Sequence, residues 1–224
     1  LRVNTLKISA DEFKTLVDFC GESVPWCPTG FYYDGKKGNH PSSIAGLFYS
    51  QEPSAMIAAE LAEVEEGDKV LDLCAAPGGK TTDIAASLRD AFGDGFVLVA
   101  NEVMKARAGI LADNVALWGD PNVVVTSDDP KSFAALPGFF DVIVADVPCS
   151  GEGMFRKDQV AVDEWSLENV DVCWKRQRRI LTDIWPALKP GGLLIYSTCT
   201  FNREEDEDNV AWIAKELGAE ILEV

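Results

Sequence analysis

The chain has 224 residues, 47% of them hydrophobic, which is enough apolar material to bury a full core. This composition excludes a disordered or fibrous protein, and no apolar run approaches the roughly 20 residues that a membrane-spanning helix needs. A net charge of −17 argues against a general polyanion binder, because nucleic-acid affinity depends largely on Lys and Arg contacts to phosphates.

Residues 1–66 have the pattern of a small α+β lobe. Arg2 to Ser9 alternates between apolar and polar residues, as a short strand does, and Ala10 to Phe19 has helical spacing. Trp26 to Ser50 is rich in aromatic residues, glycine and proline. We expect this lobe to pack on a larger domain that extends over residues 67–224.

The larger domain alternates between strand and helix patterns. Val70 to Ala75 is an apolar run of the buried-strand type, a glycine turn follows through Lys80, and Thr81 to Leu88 has helical spacing. Further strands are predicted at Phe96 to Glu102, Val123 to Thr126, Phe140 to Val147 and Leu193 to Thr198, and further helices at Lys105 to Leu117, Leu167 to Leu188 and Glu204 to Leu217. The alternation predicts a doubly wound, mostly parallel sheet whose ligands bind beyond the carboxyl ends of the strands. Residues 220–224 look like a strand that the sequence leaves midway, so we expect a fragment of a longer chain.

The glycine turn matches neither of the common phosphate-binding motifs. Gly79-Lys80-Thr81 supplies the end of a P-loop, but Cys74 occupies the position of its first glycine. The turn also lacks the G-x-G-x-x-G pattern of dinucleotide-binding proteins. What remains is a turn with few side chains, which lets a ligand approach backbone amides at the start of a helix.

Acidic residues follow the next two predicted strands. Glu102 ends the run FVLVANE, where a carboxylate can accept both hydroxyls of a ribose, and Asp129 follows the third strand, where it can reach an adenine amino group. Taken singly, each acid is as likely to lie on the surface. Their order along successive strand ends favours a nucleoside without a pyrophosphate, of which S-adenosylmethionine is the common example.

Six cysteines are present, and two of them follow predicted strands, Cys149 in ADVPCSG and Cys199 in IYSTCTF. No C-x-x-C pair occurs, and His40, the only histidine, has no cysteine neighbours at zinc-finger spacing, so we expect no metal site. A chain of this size does not need disulfides and nothing marks secretion, which favours a reducing cytoplasm.

Five segments form a recognisable set: RVNTLK from Arg2, LDLCAAPGGKT from Leu71, ANE from Ala100, DVPCSGEG from Asp146 and YSTCTFN from Tyr196. Together they resemble the Sun-type (Nol/Nop/Sun) RNA cytosine methyltransferases, which make 5-methylcytosine. The resemblance extends to about Asn209, and its paired P-C and T-C motifs are highly specific. The stretch Ser42 to Ala55 further resembles the RsmF-type enzymes of small-subunit rRNA.

The resemblance implies a Rossmann-like class I methyltransferase fold and an RNA partner, 16S rRNA or the 30S subunit, with no membrane partner and no metal. It implies that Cys199 is the nucleophile and that Cys149 helps to release the product, a ranking that spacing alone does not give. It also implies a binding site for S-adenosylmethionine formed by Cys74, Ala75, Ala76, Pro77, Gly78, Gly79, Lys80, Glu102, Asp129 and Asp146.

Cytosine chemistry explains the residue types. Carbon 5 of cytosine is a weak nucleophile, so an enzyme first adds a thiolate to carbon 6, which makes carbon 5 enamine-like. Asp146 can meet the polar edge of the base, where a carboxylate favours protonation of the ring nitrogen. After methylation the carbon 5 proton leaves and the sulfur is expelled, steps in which a second thiol can take part.

Several alternatives stay open. The same mechanism could serve tRNA, and a non-catalytic RNA-binding relic would keep the fold, although such a relic would lose a thiol and both thiols are present. An amino-methyltransferase would place an aromatic residue where Cys149 stands. Lys175 to Arg179 is either a face that tolerates RNA or the solvated side of a helix, and the acids Glu204 to Asp208 are explained by a helix N-terminus. Nothing in the sequence indicates an oligomeric state.

Overall fold

A computed structural model describes residues 1–223. The chain forms two compact units, the first being Leu1–Ser127 and the second beginning at Asp128. The domain boundary expected between residues 66 and 67 stays a prediction.

An antiparallel sheet and three helices form the N-terminal part of the first unit. The strands lie in the order β2-β3-β1-β4. Their bounds are β1 Arg2–Val3, β2 Ser23–Val24, β3 Cys27–Phe31 and β4 Phe48–Tyr49, and the helices are α1 Ala10–Leu16, α2 Pro41–Ile44 and α3 Pro53–Glu60. Helix α1 begins at a capping box formed by Ser9 and Glu12. Its Phe13 is fully buried in one apolar cluster with Val3 and Phe48.

Three parallel strands and two helices complete the first unit. Strands β5 Lys69–Asp72, β6 Val97–Asn101 and β7 Val123–Thr126 lie in the order β7-β6-β5, and helices α4 Gly79–Phe92 and α5 Lys105–Trp118 connect them in sequence. Ala100 lies beside Asp72 on one side and Val125 on the other. Because the strands are parallel, their carboxyl ends share one edge, and the glycine turn and Glu102 follow that edge.

Two parallel strands and three α-helices form the second unit. The bounds are β8 Phe140–Asp146, α6 Gln159–Glu164, α7 Leu167–Ile184, β9 Leu188–Ser197 and α8 Glu207–Trp212, with short helical segments at Pro130–Ala135, Glu152–Met154, Trp185–Ala187 and Ile213–Leu217. Asp146 pairs in register with Ser197, so both strands end at the same level. Cys149 and Cys199 therefore follow the same edge.

Helix α7 is amphipathic, and its buried residues recur every three or four positions. They are Val170, Cys173, Gln177, Ile180, Leu181 and Ile184. Gln177 is the polar member of this otherwise apolar face, and it is completely buried. A polar side chain in that position needs hydrogen-bond partners, and Gln177 Nε2 donates to Pro148 O over 3.1 Å and to Glu205 Oε2 over 2.6 Å.

The predicted alternation of strands and helices from Val70 to Leu217 is confirmed, although several elements differ in extent. The strand expected from Arg2 to Ser9 stops at Val3, because the backbone turns where the Lys7 and Ile8 N–H groups donate to Asn4 O. Leu188, expected at the end of a helix, begins β9, because Pro186 cannot continue α7.

The strand expected at residues 220–224 is wrong for its described part. Gly218 adopts φ 74° and ends the last helical segment, and residues 219–223 form no strand. Val224 lies outside the described residues.

Within residues 1–223, no helix combines the length and the apolar composition that a membrane crossing requires. Over the same span, no three His, Cys, Asp or Glu side chains gather in a way that could hold a metal ion. Among the residues that the structure describes, no disulfide joins any of the six cysteines, of which Cys27 and Cys173 are buried and Cys20 is half-buried.

Candidate functional site

The glycine turn between β5 and α4 is shaped by its backbone. Gly78 has φ +111°, which residues with a Cβ rarely adopt, and a Cβ there would lie 3.3 Å from Leu111 Cδ1. The Gly78 N–H donates to Ala75 O over 2.7 Å, and Gly78 O accepts from the Thr82 N–H over 2.9 Å. The turn therefore closes tightly at the start of α4 and carries few side chains.

Helix α5 holds this turn in place. Arg107 Nη2 donates to Ala76 O over 2.8 Å, and Asn114 Nδ2 donates to Pro77 O over 2.7 Å. Arg107 Nη1 also lies 3.5 Å from Glu102 Oε2, so one guanidinium joins the turn to the carboxylate that follows β6. Sequence reasoning misses Arg107, and the available signal is its place in the first turn of the helix that follows Glu102.

The Glu102 carboxylate is only 3% exposed. Its Oε1 accepts from the Met104 N–H over 2.9 Å, and its Oε2 faces Arg107. A buried carboxylate is stable only with such donors, so its position and orientation are fixed. The structure thus brings Glu102 and the turn into one connected arrangement.

Arg2 anchors the start of α4 from strand β1. Its side chain is completely buried, with Nε 3.0 Å from Asp83 Oδ1 and the guanidinium 4.6 Å from the centre of the Trp118 ring. Nη1 donates to Thr82 O over 3.1 Å, and Nη2 donates to Thr82 Oγ1 over 2.6 Å and to Gly79 O over 3.3 Å. The RVNTLK motif therefore has a structural role beneath the glycine turn.

The thiols of Cys149 and Cys199 are in contact in the second unit, with their Sγ atoms 3.0 Å apart. The Cys199 N–H also donates to Cys149 Sγ over 3.3 Å. Cys199 is exposed, whereas Cys149 is half-buried. The hydrogen bond with Cys199, and burial after it, raise the pKa of Cys149 above that of an ordinary thiol. The raised pKa favours the protonated form of Cys149, and either sulfur can be the donor in the hydrogen bond between the two thiols.

Asp146 ends β8 on the same side as both thiols. Ser197 Oγ, its neighbour in β9, donates to Asp146 Oδ1 over 2.8 Å. This hydrogen bond orients the carboxylate at the ends of β8 and β9, the edge that Cys149 and Cys199 follow.

Asp129 is an exposed residue at the start of the segment Pro130–Ala135, where Oδ1 accepts from the Lys131 N–H over 3.0 Å. An open cavity of about 480 Å³ is lined by Asp129, Lys131, Ser132, Arg179 and Asp183. The adenine contact assigned to Asp129 by resemblance stays a prediction.

Sequence reasoning misses three polar residues that hydrogen-bond to the backbone next to Cys149 or Cys199. They are Glu152, Gln177 and Glu205. Glu205 lies in the acidic run that we attribute to a helix N-terminus. That interpretation holds for Glu207 and Asp208, which occupy the first turn of α8, but it is wrong for Glu205, which is completely buried. The sequence does contain one signal of a buried polar partner. Gln177 is a polar residue at the spacing of the buried face of a helix.

Two of the four basic residues of α7, Lys175 and Arg178, have local partners. Lys175 Nζ lies 2.6 Å from Asp171 Oδ2 on the helix surface. The Arg178 guanidinium lies 4.5 Å from the centre of the Trp174 ring and 5.3 Å from that of Trp212, and its Nε donates to Asn209 Oδ1 over 2.7 Å. These contacts give Lys175 and Arg178 structural roles within the second unit.

Two family models match the sequence. The model described as 16S rRNA methyltransferase RsmB/F covers residues 59–220, and that of the N-terminal domain of 16S rRNA methyltransferase RsmF covers residues 1–53. The ribosomal RNA small subunit methyltransferase F of Klebsiella pneumoniae (strain 342) is 44% identical, with 95% of this chain and 46% of the relative covered. That of Salmonella paratyphi A is 42% identical, with 100% and 48% covered. The chain spans about half the length of these curated relatives.

Solved structures show the same fold. A methyltransferase homologue from Pyrococcus horikoshii matches with a TM-score of 0.80 and 32% identity, over 95% of this chain and 68% of that one. NSun6 from the same organism, solved with SFG, an analogue of S-adenosylmethionine, matches with a TM-score of 0.73 and 29% identity, over 82% and 46%. These matches confirm the predicted Rossmann-like class I methyltransferase fold and the Sun-type resemblance.

Proposed function

This chain belongs to the 16S rRNA methyltransferase RsmB/F family, and from that membership we propose that it forms the catalytic part of an S-adenosylmethionine-dependent enzyme. The reaction is methyl transfer to carbon 5 of cytosine in 16S rRNA, through a covalent bond between a cysteine and the base. The observation that carries the proposal is the contact between the Cys149 and Cys199 thiols.

Cys199 is assigned the attack on carbon 6. A thiolate is the reactive form, and an ordinary cysteine with a pKa of about 8.5 supplies a small fraction of it at neutral pH. Exposure of Cys199 supports this assignment, and the raised pKa of the half-buried Cys149, caused first by its hydrogen bond with Cys199, favours the protonated form of that residue. Asp146, oriented by Ser197, is assigned to the polar edge of the base, where it favours protonation of the ring nitrogen.

Cys149 is assigned to product release. Once carbon 5 carries a methyl group, a water molecule takes its proton and the electron pair of that carbon–hydrogen bond forms the carbon 5–carbon 6 double bond. The carbon 6–sulfur bond then breaks, and its electron pair returns to Cys199 Sγ. Cys149 Sγ lies 3.0 Å from that sulfur. Its thiol proton can hydrogen-bond to the departing Cys199 thiolate, directly or through water, while the bond breaks.

The cofactor is assigned to the turn from Cys74 to Lys80 and to Glu102, and by resemblance also to Asp129 and Asp146. S-adenosylmethionine supplies an electrophilic methyl group when it is bound. These residues suit its nucleoside. Gly78, whose positive φ favours glycine, leaves room beside the turn, and the fixed Glu102 carboxylate can accept hydrogen bonds from ribose hydroxyl groups.

The RNA partner is 16S rRNA or the 30S subunit, and the reaction is placed in the cytoplasm, where thiols stay reduced. The net charge of −17 gives these residues little intrinsic affinity for RNA. Because the curated relatives are about twice as long, we do not assign RNA binding to these 224 residues alone.

The test compares full-length wild-type protein with Cys199→Ala and Cys149→Ala, using 30S particles and labelled cofactor. We expect neither product nor protein–RNA conjugate from Cys199→Ala, and a conjugate that accumulates from Cys149→Ala because its release is blocked. Cys20→Ala, which removes a half-buried thiol in the first unit, is the matched control and should behave like wild type.

Retained turnover in Cys199→Ala, together with loss of all conjugate in Cys149→Ala, would reverse the two roles. Wild-type protein that methylates tRNA but not 30S particles would refute the substrate, and complete inactivity would indicate a relic.

A further inference from the structure

Two carboxylates cross between the loops that carry the thiols. The first thiol loop, residues 147–154, follows β8 and contains Cys149 and Glu152, and the second thiol loop, residues 198–206, follows β9 and contains Cys199 and Glu205. Each carboxylate accepts a backbone N–H from the opposite loop, close to the opposite thiol.

Glu205 holds the first thiol loop. Its Oε2 accepts from the Ser150 N–H over 3.1 Å, at the residue that follows Cys149, and Oε1 lies 3.3 Å from the same nitrogen. Gln177 Nε2 donates to Oε2 over 2.6 Å, and Asn202 Nδ2 donates to Oε1 over 2.7 Å. The buried charge is thus held by neutral donors from three parts of the unit, which fixes its position.

Glu152 holds the second thiol loop in return. Its Oε2 accepts from the Phe201 N–H over 2.8 Å, two residues after Cys199. Its Oε1 accepts from Trp165 Nε1 over 3.1 Å, which fixes the carboxylate from behind.

Side chains between the two carboxylates complete the connection. Asn202 Nδ2 reaches both acids, at 2.7 Å from Glu205 Oε1 and 3.4 Å from Glu152 Oε1. Ser150 Oγ and Thr200 Oγ1, from opposite loops, lie 2.9 Å apart. Every one of these contacts spans the roughly 50 residues of sequence between the loops or braces a group that does.

Gly153 brings the two backbones together. Its N–H donates to Cys199 O over 2.7 Å, and a Cβ at this position would lie 2.6 Å from that oxygen. Real Cβ atoms do not approach a carbonyl oxygen that closely, so any larger residue must push the Cys199 backbone away.

We infer that Glu152 and Glu205 form a reciprocal carboxylate clamp that sets the separation of the Cys149 and Cys199 thiols. Both acids are positioning residues, since they act on the reacting sulfurs through the loop backbones. The catalytic meaning of the clamp rests on the proposed function, because attack and release then require two sulfurs at one base. The thiol separation itself does not rest on it and can be measured without RNA.

The test is the equilibrium of the purified full-length protein with glutathione. Oxidised glutathione takes two electrons from the two thiols, which yields one protein disulfide and two molecules of reduced glutathione. The equilibrium constant is the effective concentration of one thiol at the other, and peptide mapping confirms that the bond joins Cys149 to Cys199.

We expect Glu205→Gln and Glu152→Gln each to lower this effective concentration about tenfold, the scale of one lost hydrogen bond to a charged group. Gly153→Ala should lower it as well. The matched control is Glu204→Gln, an exposed acid in the same loop, which should keep the wild-type value. Thermal unfolding of each variant shows whether the protein is folded when the thiols are measured.

A second readout separates positioning from general loss of structure. With 30S particles and labelled cofactor, a displaced Cys149 slows release, so the clamp variants should show a larger share of protein–RNA conjugate per folded molecule. A merely structural role would lower conjugate and product together.

Wild-type effective concentrations in folded Glu152→Gln and Gly153→Ala would overturn the clamp, and these two variants decide the matter if Glu205→Gln does not fold. If the thiols respond to the variants while wild-type protein methylates no RNA, the clamp stands and the proposed function fails.

Discussion

In each unit a fully buried charged side chain organises a part of the candidate site, Arg2 in the first and Glu205 in the second, and these two charges are held in opposite ways. In the first unit, Arg2 is held by Asp83 and by oxygen atoms at the start of α4. In the second, Glu205 is held by backbone and side-chain N–H groups around the thiols. The first charge is paired with an opposite charge, and the second is shared among neutral dipoles.

This difference has an energetic consequence. Removing one member of a buried ion pair leaves the other charge unpaired in a site of low polarity, which is costly. Removing one of several neutral donors leaves the remaining donors in place, so the loss is smaller. A single substitution in the Arg2–Asp83 pair at the start of α4 should therefore lower the stability of the protein strongly. Loss of one donor to Glu205 should lower it less.

The largest expected effect comes from Arg2→Met, which leaves Asp83 without its cation. We expect the free energy of unfolding to fall by about 3–5 kcal/mol at pH 8, measured by urea denaturation. Arg203→Met is the matched control, because the Arg203 side chain is 79% exposed and its solvent-screened pair with Asp208 should add little to stability. An equal loss in both variants would remove the distinction between the buried and exposed pairs.

The next effect is a pH dependence that belongs to Asp83. Burial raises the pKa of this carboxyl group from 3.8 to about 6, although Arg2 opposes the shift. A raised pKa in the folded state means that the folded protein binds more protons, so the contribution of Asp83 to stability is complete below pH 3.8 and is lost as the pH rises through about 6.

Subtracting the unfolding free energy of Asp83→Asn from that of wild type isolates this contribution. We expect the difference to fall by about 2 kcal/mol between pH 4 and pH 7, in urea titrations at several pH values. A difference that rises over this range would show that the ion pair with Arg2 outweighs the cost of burial.

The smallest of the three effects is predicted for Gln177→Leu, which removes one of the donors to Glu205. We expect a loss of about 1–3 kcal/mol in the free energy of unfolding, less than for Arg2→Met, because the other donors stay in place. Gln159→Leu, at an exposed position of α6, is the control and should change stability little. A loss as large as that of Arg2→Met would mean that the two networks do not differ in kind.

Local patterns were sufficient to predict most of the fold. Apolar runs such as FDVIVADV correspond to strands that are buried on both faces, and the alternation with helices predicts parallel pairing. Boundaries were less accurate where one residue redirects the chain, as at Asn4 and Pro186. Those details depend on turns and helix ends, which a periodic pattern does not encode.

The site was predictable to the level of strand ends but not of contacts. Periodicity places Cys149 and Cys199 after two strands, yet only the register of β8 with β9 brings their sulfurs together. Glu205 shows the limit more clearly: within an acidic run it is indistinguishable from its solvated neighbours, because its burial depends on donors that are remote in sequence. Resemblance ranked the thiols, and it did not reveal what holds them.

The exchange of carboxylates between the two thiol loops also limits how the protein can be altered. Each loop carries a thiol of its own and an acid that serves the other loop. Replacing a single loop with that of a relative would therefore change one acid together with the backbone that the other acid holds, and the second loop would no longer match its partner. A chimaera should keep the Cys149–Cys199 contact only when both loops are exchanged together. The two loops therefore have to match each other, although about 50 residues separate them in the sequence.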